Sequence, residues 1–232
     1  MDLKQEAART AFTLIANNTS VGLGDGRTIK WLASYLIEGI NSGLNVKLYS
    51  SSIQTQQYLQ VAGIPIVDIS LTDSLDQYFD GCDQIDEHLD VLKSGAGIHT
   101  QEKLFSSMAK KFIILAESSK FVSRFDPKFP LVVEALPQAV KFIFKEMKKS
   151  FPAASFSLRI SEFLKKPVIT RNGNYLIDCF FTEWPESGYV NAECKSITGI
   201  VEISLFHKMV HEAIIAGNTG IQKYDRKAIC LP

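Results

Sequence analysis

The 232-residue chain has little of what usually assigns a protein to a class at once. Its four cysteines, Cys82, Cys179, Cys194 and Cys230, lie far apart with no CxxC pair, so neither a zinc knuckle nor a redox dithiol is indicated and reduced thiols are expected. No apolar run approaches the ~18 residues needed to cross a bilayer; the greasiest short stretch is Phe112 to Ala116. The opening MDLKQEAARTAF lacks the apolar core of a secretion signal, which points to the cytoplasm. Neither sign of charge is in excess, with 25 Lys and Arg against 25 Asp and Glu. Nothing electrostatic therefore singles out nucleic acid or a membrane as partner, and any bound anion must be held by local geometry. There are no internal repeats or low-complexity segments. What is present is 46% apolar and 22% charged residues, the balance of a globular chain. A chain of this length buries roughly 70–75% of its unfolded surface and needs no disulfide or metal staple.

Strands alternate with helices through the first half. A helix over residues 2–16, capped by Asp2, puts Leu3, Ala7, Ala11, Leu14 and Ile15 on one face. Ser20 to Leu23 is a strand entering a glycine-dense turn, and Thr28 to Ile40 is a helix. Asn45 to Ser50 and Pro65 to Ile69 read as strands on either side of a helix that follows Ser51-Ser52. The rhythm continues with strands ending at Phe79-Asp80 and Leu92-Lys93, a glycine turn Ser94–Gly97, a helix from Thr100 to about Lys110, and the strand Phe112 to Ala116. This alternation predicts an α/β fold with helices packed on a parallel sheet. Polar residues recur just past the strand ends, at Asp25, Ser51, Asp80, Lys93 and Ser118 to Lys120, along the edge where open sheets of this class hold ligands.

Beyond Asp126-Pro127 the pattern changes. A strand Leu131 to Leu136, a helix Ala139 to Lys148 with Val140, Ile143 and Met147 inward, and an alternating segment Ser155 to Ile160 follow in turn. Asn172-Gly173 marks a hairpin within Val168 to Ile177, then come a helix at Ala192 to Ser196 and a strand Gly199 to Leu205. Strand–helix–strand–strand–helix–strand is the ferredoxin-like order. The expected division is a Rossmann-like domain of residues 1–127 plus 204–232 and a smaller ferredoxin-like α+β domain of residues 128–203.

Two constellations carry chemistry. The turn VGLGDGRT is neither a dinucleotide fingerprint, which would need glycine where Arg27 stands, nor a nucleoside-triphosphate loop. Its glycines and the helix start near Thr28 still suit an anion cradle. Asp80-Gly81-Cys82-Asp83 with Lys93 and Glu102 places carboxylates and an ammonium on the ligand edge. Such a set serves proton transfer on a polar carbon framework, one carboxylate moving the proton and the ammonium stabilising an oxyanion. Singly, each of these residues reads more readily as a helix cap or a surface ion pair.

Taken together, these residues carry a family resemblance. YFDGCDQIDEHLDVLKSGAGIHTQEKLF resembles the DGADE…KGGG…REK core of type A ribose-5-phosphate isomerases. VGLGDGRT is similar to their VGxGTGST loop, SSSIQT to their SSS segment, AESSK to ADxSK, FPLVVEALP to FPLPVEVxP, and RNGNYLIDC to the DNGNxIxD hairpin. The likeness runs from about Lys4 to Val201 with spacing preserved. It implies a Rossmann-like plus ferredoxin-like fold, an aldose–ketose isomerase without cofactor, and a homodimer or homotetramer. Glu102 would be the base moving a proton between C1 and C2 through an enediolate, and Asp80 would assist ring opening. Asp83 would hold sugar hydroxyls, and Lys93 with the backbone of Ser94, Gly95 and Ala96 would steady the enediolate oxygen. Gly81 and Cys82 would line the sugar site, and Asp25, Gly26, Arg27 and Thr28, with Lys4 and Lys120 nearby, would bind phosphate.

Departures from the family pattern concentrate in the phosphate turn. Asp25-Gly26-Arg27-Thr28 stands where the family has Thr-Gly-Ser-Thr, Gln84 replaces a glutamate, Cys82 an alanine, and Ser94-Gly95-Ala96-Gly97 the glycine run. Asp25 and Arg27 could pair with each other; the arrangement expected instead has Asp25 capping the helix or facing solvent while Arg27 grips phosphate. His207 and His211 are spaced as helical metal ligands but lack a third partner, so no metal is assigned, and His99 could line the cleft. The competing readings are a paralogue acting on another sugar phosphate and a non-catalytic sugar-phosphate sensor.

Overall fold

In the computed structural model, which describes residues 2–226, the chain folds as three sheets wrapped by helices. The elements of the first half are α1 (Leu3–Phe12), β1 (Thr19–Leu23), α2 (Arg27–Asn41), β2 (Val46–Ser50), α3 (Ile53–Val61), β3 (Leu75–Asp80), β4 (Gln84–Asp86), β5 (Val91–Leu92), α4 (His99–Met108) and β6 (Ala109–Glu117). Then come β7 (Phe121–Val122), β8 (Leu131–Ala135), α5 (Val140–Ser150), β9 (Ser155–Leu158), β10 (Tyr175–Phe180), α6 (Ser187–Ser196) and β11 (Ile200–Ile203). The chain finishes with β12 (Leu205–Phe206), β13 (Glu212–Gly217) and β14 (Gly220–Asp225).

The main sheet has the order β14-β13-β6-β3-β1-β2; all its pairings are parallel except that of the edge strand β14. Its strands read as apolar runs because both faces are covered. One face packs against α1 and α2, whose inward stripes are Ala7, Ala8 and Ala11, and Ile29, Leu32, Ala33 and Leu36. The other buries Tyr78, Phe105, Phe112 and Phe206. Asp2 caps α1 as expected, accepting from the Lys4 N–H at 3.0 Å. The chain returns to this sheet at β13, pairing with β6. Of the four cysteines, Cys82, Cys179 and Cys194 are free thiols; Cys230 lies outside the described residues.

The second sheet has the order β11-β8-β10-β9 and is antiparallel, with α5 and α6 beside it, which is the ferredoxin-like arrangement. Its core joins Val133, Ile143, Met147, Ile177 and Trp184. The Asn172-Gly173 turn forms, with Gly173 at φ 79°. Its upstream arm is reduced to a single bridge, Ile169 to Tyr175.

Several boundaries differ from the sequence reading for local reasons. Pro65 to Ile69 is no strand: proline has no N–H to donate, so only the bridge Leu48–Ile66 forms before a 3₁₀ turn at Ile69–Leu71. The segment ending at Leu92-Lys93 does not join the parallel sheet; β5 sits in a small sheet ordered β12-β5-β4-β7. The single strand read at Gly199 to Leu205 splits between two sheets at Ser204. This fully buried residue accepts from the Val132 N–H through its hydroxyl and from the Lys93 N–H through its carbonyl. The helix read at Ala192 starts earlier, where the Glu186 carboxylate caps the N–H groups of Gly188 and Tyr189. Residues 207–211 are not helical: His207 pairs with Asp90 at 2.7 Å, and His211 Nδ1 accepts from the Phe112 N–H, so the two imidazoles have separate duties.

Candidate active site

A cavity of about 260 Å³ opens at the C-terminal edge of the parallel sheet. Its wall includes Lys4, Asp25, Gly26, Arg27, Thr28, Gly81, Cys82, Asp83, Lys93, Gly95, Ala96, Gly97, Glu102 and Lys120. Nearly every residue chosen from the sequence is there. The two exceptions are Asp80 and Ser94.

Asp80 ends β3 and is 0% exposed. Its Oδ1 accepts from the Gly81 N–H (2.7 Å) and the Asp25 N–H (3.3 Å), and its Oδ2 accepts from Tyr78 Oη (2.8 Å) and meets Lys93 Nζ at 2.9 Å. Asp80 is thus set beside the Lys93 ammonium with both carboxylate oxygens engaged, just outside the cavity lining. Ser94 is likewise turned away, its hydroxyl donating to the Pro130 carbonyl at 2.6 Å.

Lys93 follows β5 and reaches back to the sheet edge. Its ammonium lies 2.9 Å from Asp80 Oδ2 and 3.2 Å from Glu102 Oε1, and donates to the Gly81 carbonyl at 2.6 Å. Burial works against this charge, but the two carboxylates outweigh it and hold the ammonium above its ordinary pKa. Glu102 sits in the first turn of α4 and is 3% exposed. Burial pushes its carboxyl up to about 8; the Lys93 charge opposes that rise and Asp80 adds to it. A carboxyl tuned toward neutrality beside a fixed cation, on the wall of a cleft, can accept and return a proton near neutral pH.

Asp83 Oδ2 accepts from the N–H groups of Ser94 (2.6 Å) and Gly95 (3.1 Å). Those two amides are thereby engaged by Asp83 in this structure. Within this turn, Ala96 and Gly97 remain as backbone on the cavity wall. His99 does not line the cleft: it is buried on the far side of α4, 3.3 Å from the Glu202 carbonyl, with burial lowering its pKa to about 4.

In the 25–28 turn, Asp25 takes a partner that neither expected arrangement gave it. Asp25 neither pairs with Arg27 nor caps α2; its Oδ1 accepts from Ser52 Oγ at 2.8 Å, which ties the turn to the start of α3. The cap position of α2 is Gly26, with φ 101° and no side-chain cap, so the helix begins at Arg27 with its first N–H groups uncapped. Arg27 is exposed at the cavity rim. Lys4 pairs with Glu117 at 2.6 Å, and Lys120 donates to the Cys82 carbonyl, so both cations are anchored at the wall.

Sequence reasoning missed three supports. Tyr78, fully buried, donates to Asp80 and accepts from Ser51 Oγ at 2.9 Å; burial, then the nearby Asp80 and Glu102 charges, keep its phenol protonated. Gly24 must be glycine, because a Cβ there would lie 2.0 Å from Asp80 Oδ1. Glu134, buried within apolar β8, accepts from Thr100, Thr170, Asn172 and Asn174, pinning the start of α4 to the hairpin. The one available signal was an acid in the middle of an apolar strand. Among the described residues no group of His, Cys, Asp and Glu is placed to hold a metal, and no helix is long and apolar enough to cross a membrane.

An α/β sheet edge carrying a buried carboxyl with a raised pKa, a fixed ammonium and an open helix N-terminus defines a general acid–base enzyme. The family described as ribose 5-phosphate isomerase A (phosphoriboisomerase A) has a model that matches residues 47–220, and the chain belongs to that family. Ribose-5-phosphate isomerase A of Bacillus mycoides is 32% identical over 97% of this chain and 100% of its own length. Ribose-5-phosphate isomerase A 1 of Oceanobacillus iheyensis is 34% identical over 94% of this chain and 96% of its own. Among solved structures, ribose 5-phosphate isomerase A from Methanocaldococcus jannaschii superposes with a TM-score of 0.89 at 29% identity, covering 97% of this chain and 98% of that one. A D-ribose-5-phosphate isomerase in complex with phospho-erythronic acid gives a TM-score of 0.90 at 29% identity over the same shares of the two chains.

Proposed function

We propose that this chain interconverts ribose 5-phosphate and ribulose 5-phosphate, with Glu102 as the base. The observation that carries the reading is the Glu102–Lys93 contact at 3.2 Å on the wall of a cavity that also takes in the open start of α2. In this mechanism Glu102 removes the proton from C2 of the open-chain aldose as the C1 carbonyl gains charge. The same carboxyl then returns the proton to C1 while the C2 hydroxyl proton passes to the C1 oxygen, leaving the carbonyl at C2. Lys93, with the backbone of Ala96 and Gly97, stabilises the enediolate oxygens. Asp80 acts through Lys93 rather than on the sugar, and Asp83, one oxygen committed to the turn, offers the other to sugar hydroxyls. Phosphate is held by Arg27, Thr28 and the first amides of α2, with Lys4 and Lys120 contributing long-range attraction. Residues 1–127 with 204–232 form the reacting domain and 128–203 the smaller one. The protein works in the cytoplasm as a homodimer or homotetramer, without cofactor.

The test is an isomerisation assay with pentose and hexose phosphates in the presence of excess chelator. Turnover of ribose 5-phosphate above the others supports the proposal. Preference for a different sugar phosphate makes the chain a paralogue, and binding without turnover makes it a sensor.

A further inference from the structure

The turn Ser94–Gly97 is chemically the softest part of the site: two of its residues are glycine, and none has a side chain larger than a hydroxymethyl group. Yet its backbone must stay in place for Lys93 and the turn's last amides to meet charge developing on the substrate. One side is fixed by Asp83, which accepts the Ser94 and Gly95 N–H groups. The opposite side is fixed from the second sheet. Arg159, immediately after β9, donates Nη2 to the Ser94 carbonyl at 2.9 Å and Nη1 to the Gly95 carbonyl at 2.6 Å. The same guanidinium is aligned by Asp178 on β10, with Nε 3.1 Å from each carboxylate oxygen and Nη2 2.6 Å from Oδ1. Both side chains are mostly buried, at 19% and 16% exposed. Gly97 closes the turn against β10: at φ 71°, a Cβ there would sit 2.3 Å from Leu176 Cδ1.

We infer that Arg159, oriented by Asp178, is a positioning residue for the reaction. It clamps the two carbonyls of the turn whose amides Asp83 holds, so that Ala96 and Gly97 stay at the cavity wall. Arg159 is absent from the cavity lining, so it acts through the turn and not on the substrate. Only a planar fork can serve Asp178 and two successive carbonyls at once. A lysine ammonium keeps the charge but loses that geometry. Because the turn's help is needed most when the enediolate carries charge, losing the clamp lowers kcat and leaves substrate binding largely intact.

The inference rests on the isomerase reading, and the experiment separates the two. Wild-type protein, Arg159→Lys and Asp178→Asn are assayed with ribose 5-phosphate, kcat being normalised to folded protein from urea melts. Arg159→Lys should lose ~10–100-fold in kcat with KM changed less than about threefold, the range expected when a group serving only the transition state is misplaced. Asp178→Asn, which keeps the guanidinium but loosens its alignment, should lose a smaller factor of the same kind and carries the test if Arg159→Lys does not fold. Added methylguanidinium should restore part of the kcat of Arg159→Ala. Wild-type kcat per folded molecule in the first two variants, or a rise in KM at unchanged kcat, overturns the inference; absence of turnover in the wild type overturns the isomerase reading instead.

Discussion

Glu102→Gln separates what this carboxyl does for the reaction from what it does to the fold. Its folded-state pKa of about 8 stands above the ordinary 4.5, so the folded protein holds this proton more tightly than the unfolded chain does. Stability from this group is therefore complete below pH 4.5 and is lost as pH rises through about 8, after which it changes no further. The full loss is roughly 5 kcal/mol at 1.36 kcal/mol per pH unit, most of it incurred between pH 5 and 8. Glutamine keeps the shape and cannot ionise. Urea melts of the two proteins should diverge with pH, the variant gaining roughly 4 kcal/mol over the wild type between pH 5 and pH 8. Turnover should meanwhile fall by ~10²–10⁴, the usual contribution of a positioned base. In the wild type, kcat/KM should rise with pH to a limb near pH 8, because the base must be ionised. Parallel stability curves, or a variant with near-normal turnover, would refute the assignment and pass the proton to Asp83, the other carboxylate of the acidic motif that lines the cavity.

Arg27→Ser should raise KM for ribose 5-phosphate by about fivefold to tenfold with little change in kcat, since an exposed phosphate contact is felt equally in ground and transition states. A lower KM in steady-state assays would show that the residue obstructs the site. Gly24→Ala should displace the Asp80 carboxylate, lowering the urea midpoint by an amount equivalent to about 2 kcal/mol or more and abolishing most turnover, as a Cβ has no room there. A variant with wild-type kcat would mean that the Asp80–Lys93 contact is dispensable. Burial pushes the Cys82 thiol up to about 12, so iodoacetamide at pH 8 should modify it far more slowly than a free thiol, and substrate should slow it further. Rapid inactivation shared by a Cys82→Ala variant would place the sensitive thiol elsewhere.

The alternation of strands and helices was readable because both faces of the main sheet are covered, giving apolar strands and striped helices, as with Ile29, Leu32, Ala33 and Leu36. The clustering of Asp80, Lys93 and Glu102 was readable because each sits next to a strand end or a helix start, where spacing survives in the sequence. Their depth was not readable. That Asp80 lies behind Lys93 depends on the backbone of Gly24 passing against it, a contact across 56 positions with no periodicity of its own. The partner of Asp25 was missed for a similar reason, because Ser52 reaches it only once β1 and β2 are paired. Short elements held together by tertiary contacts, such as β5 and β12, leave no mark in a local pattern.

The site divides into two zones that differ in how freely they can change. The Asp80–Lys93–Glu102 cluster is enclosed by Gly24, Tyr78 and the sheet edge, where nearly any replacement disturbs packing, a charge balance or both. The 25–28 turn lies at the rim, with Gly26 and Arg27 exposed and Arg27 outside the ion-pair network. Arg27 can be replaced without disturbing the interior, whereas Asp25 is tied to the buried Ser52. The turn is therefore held at Asp25 and open to change at Arg27, while the cluster behind it admits little change at all.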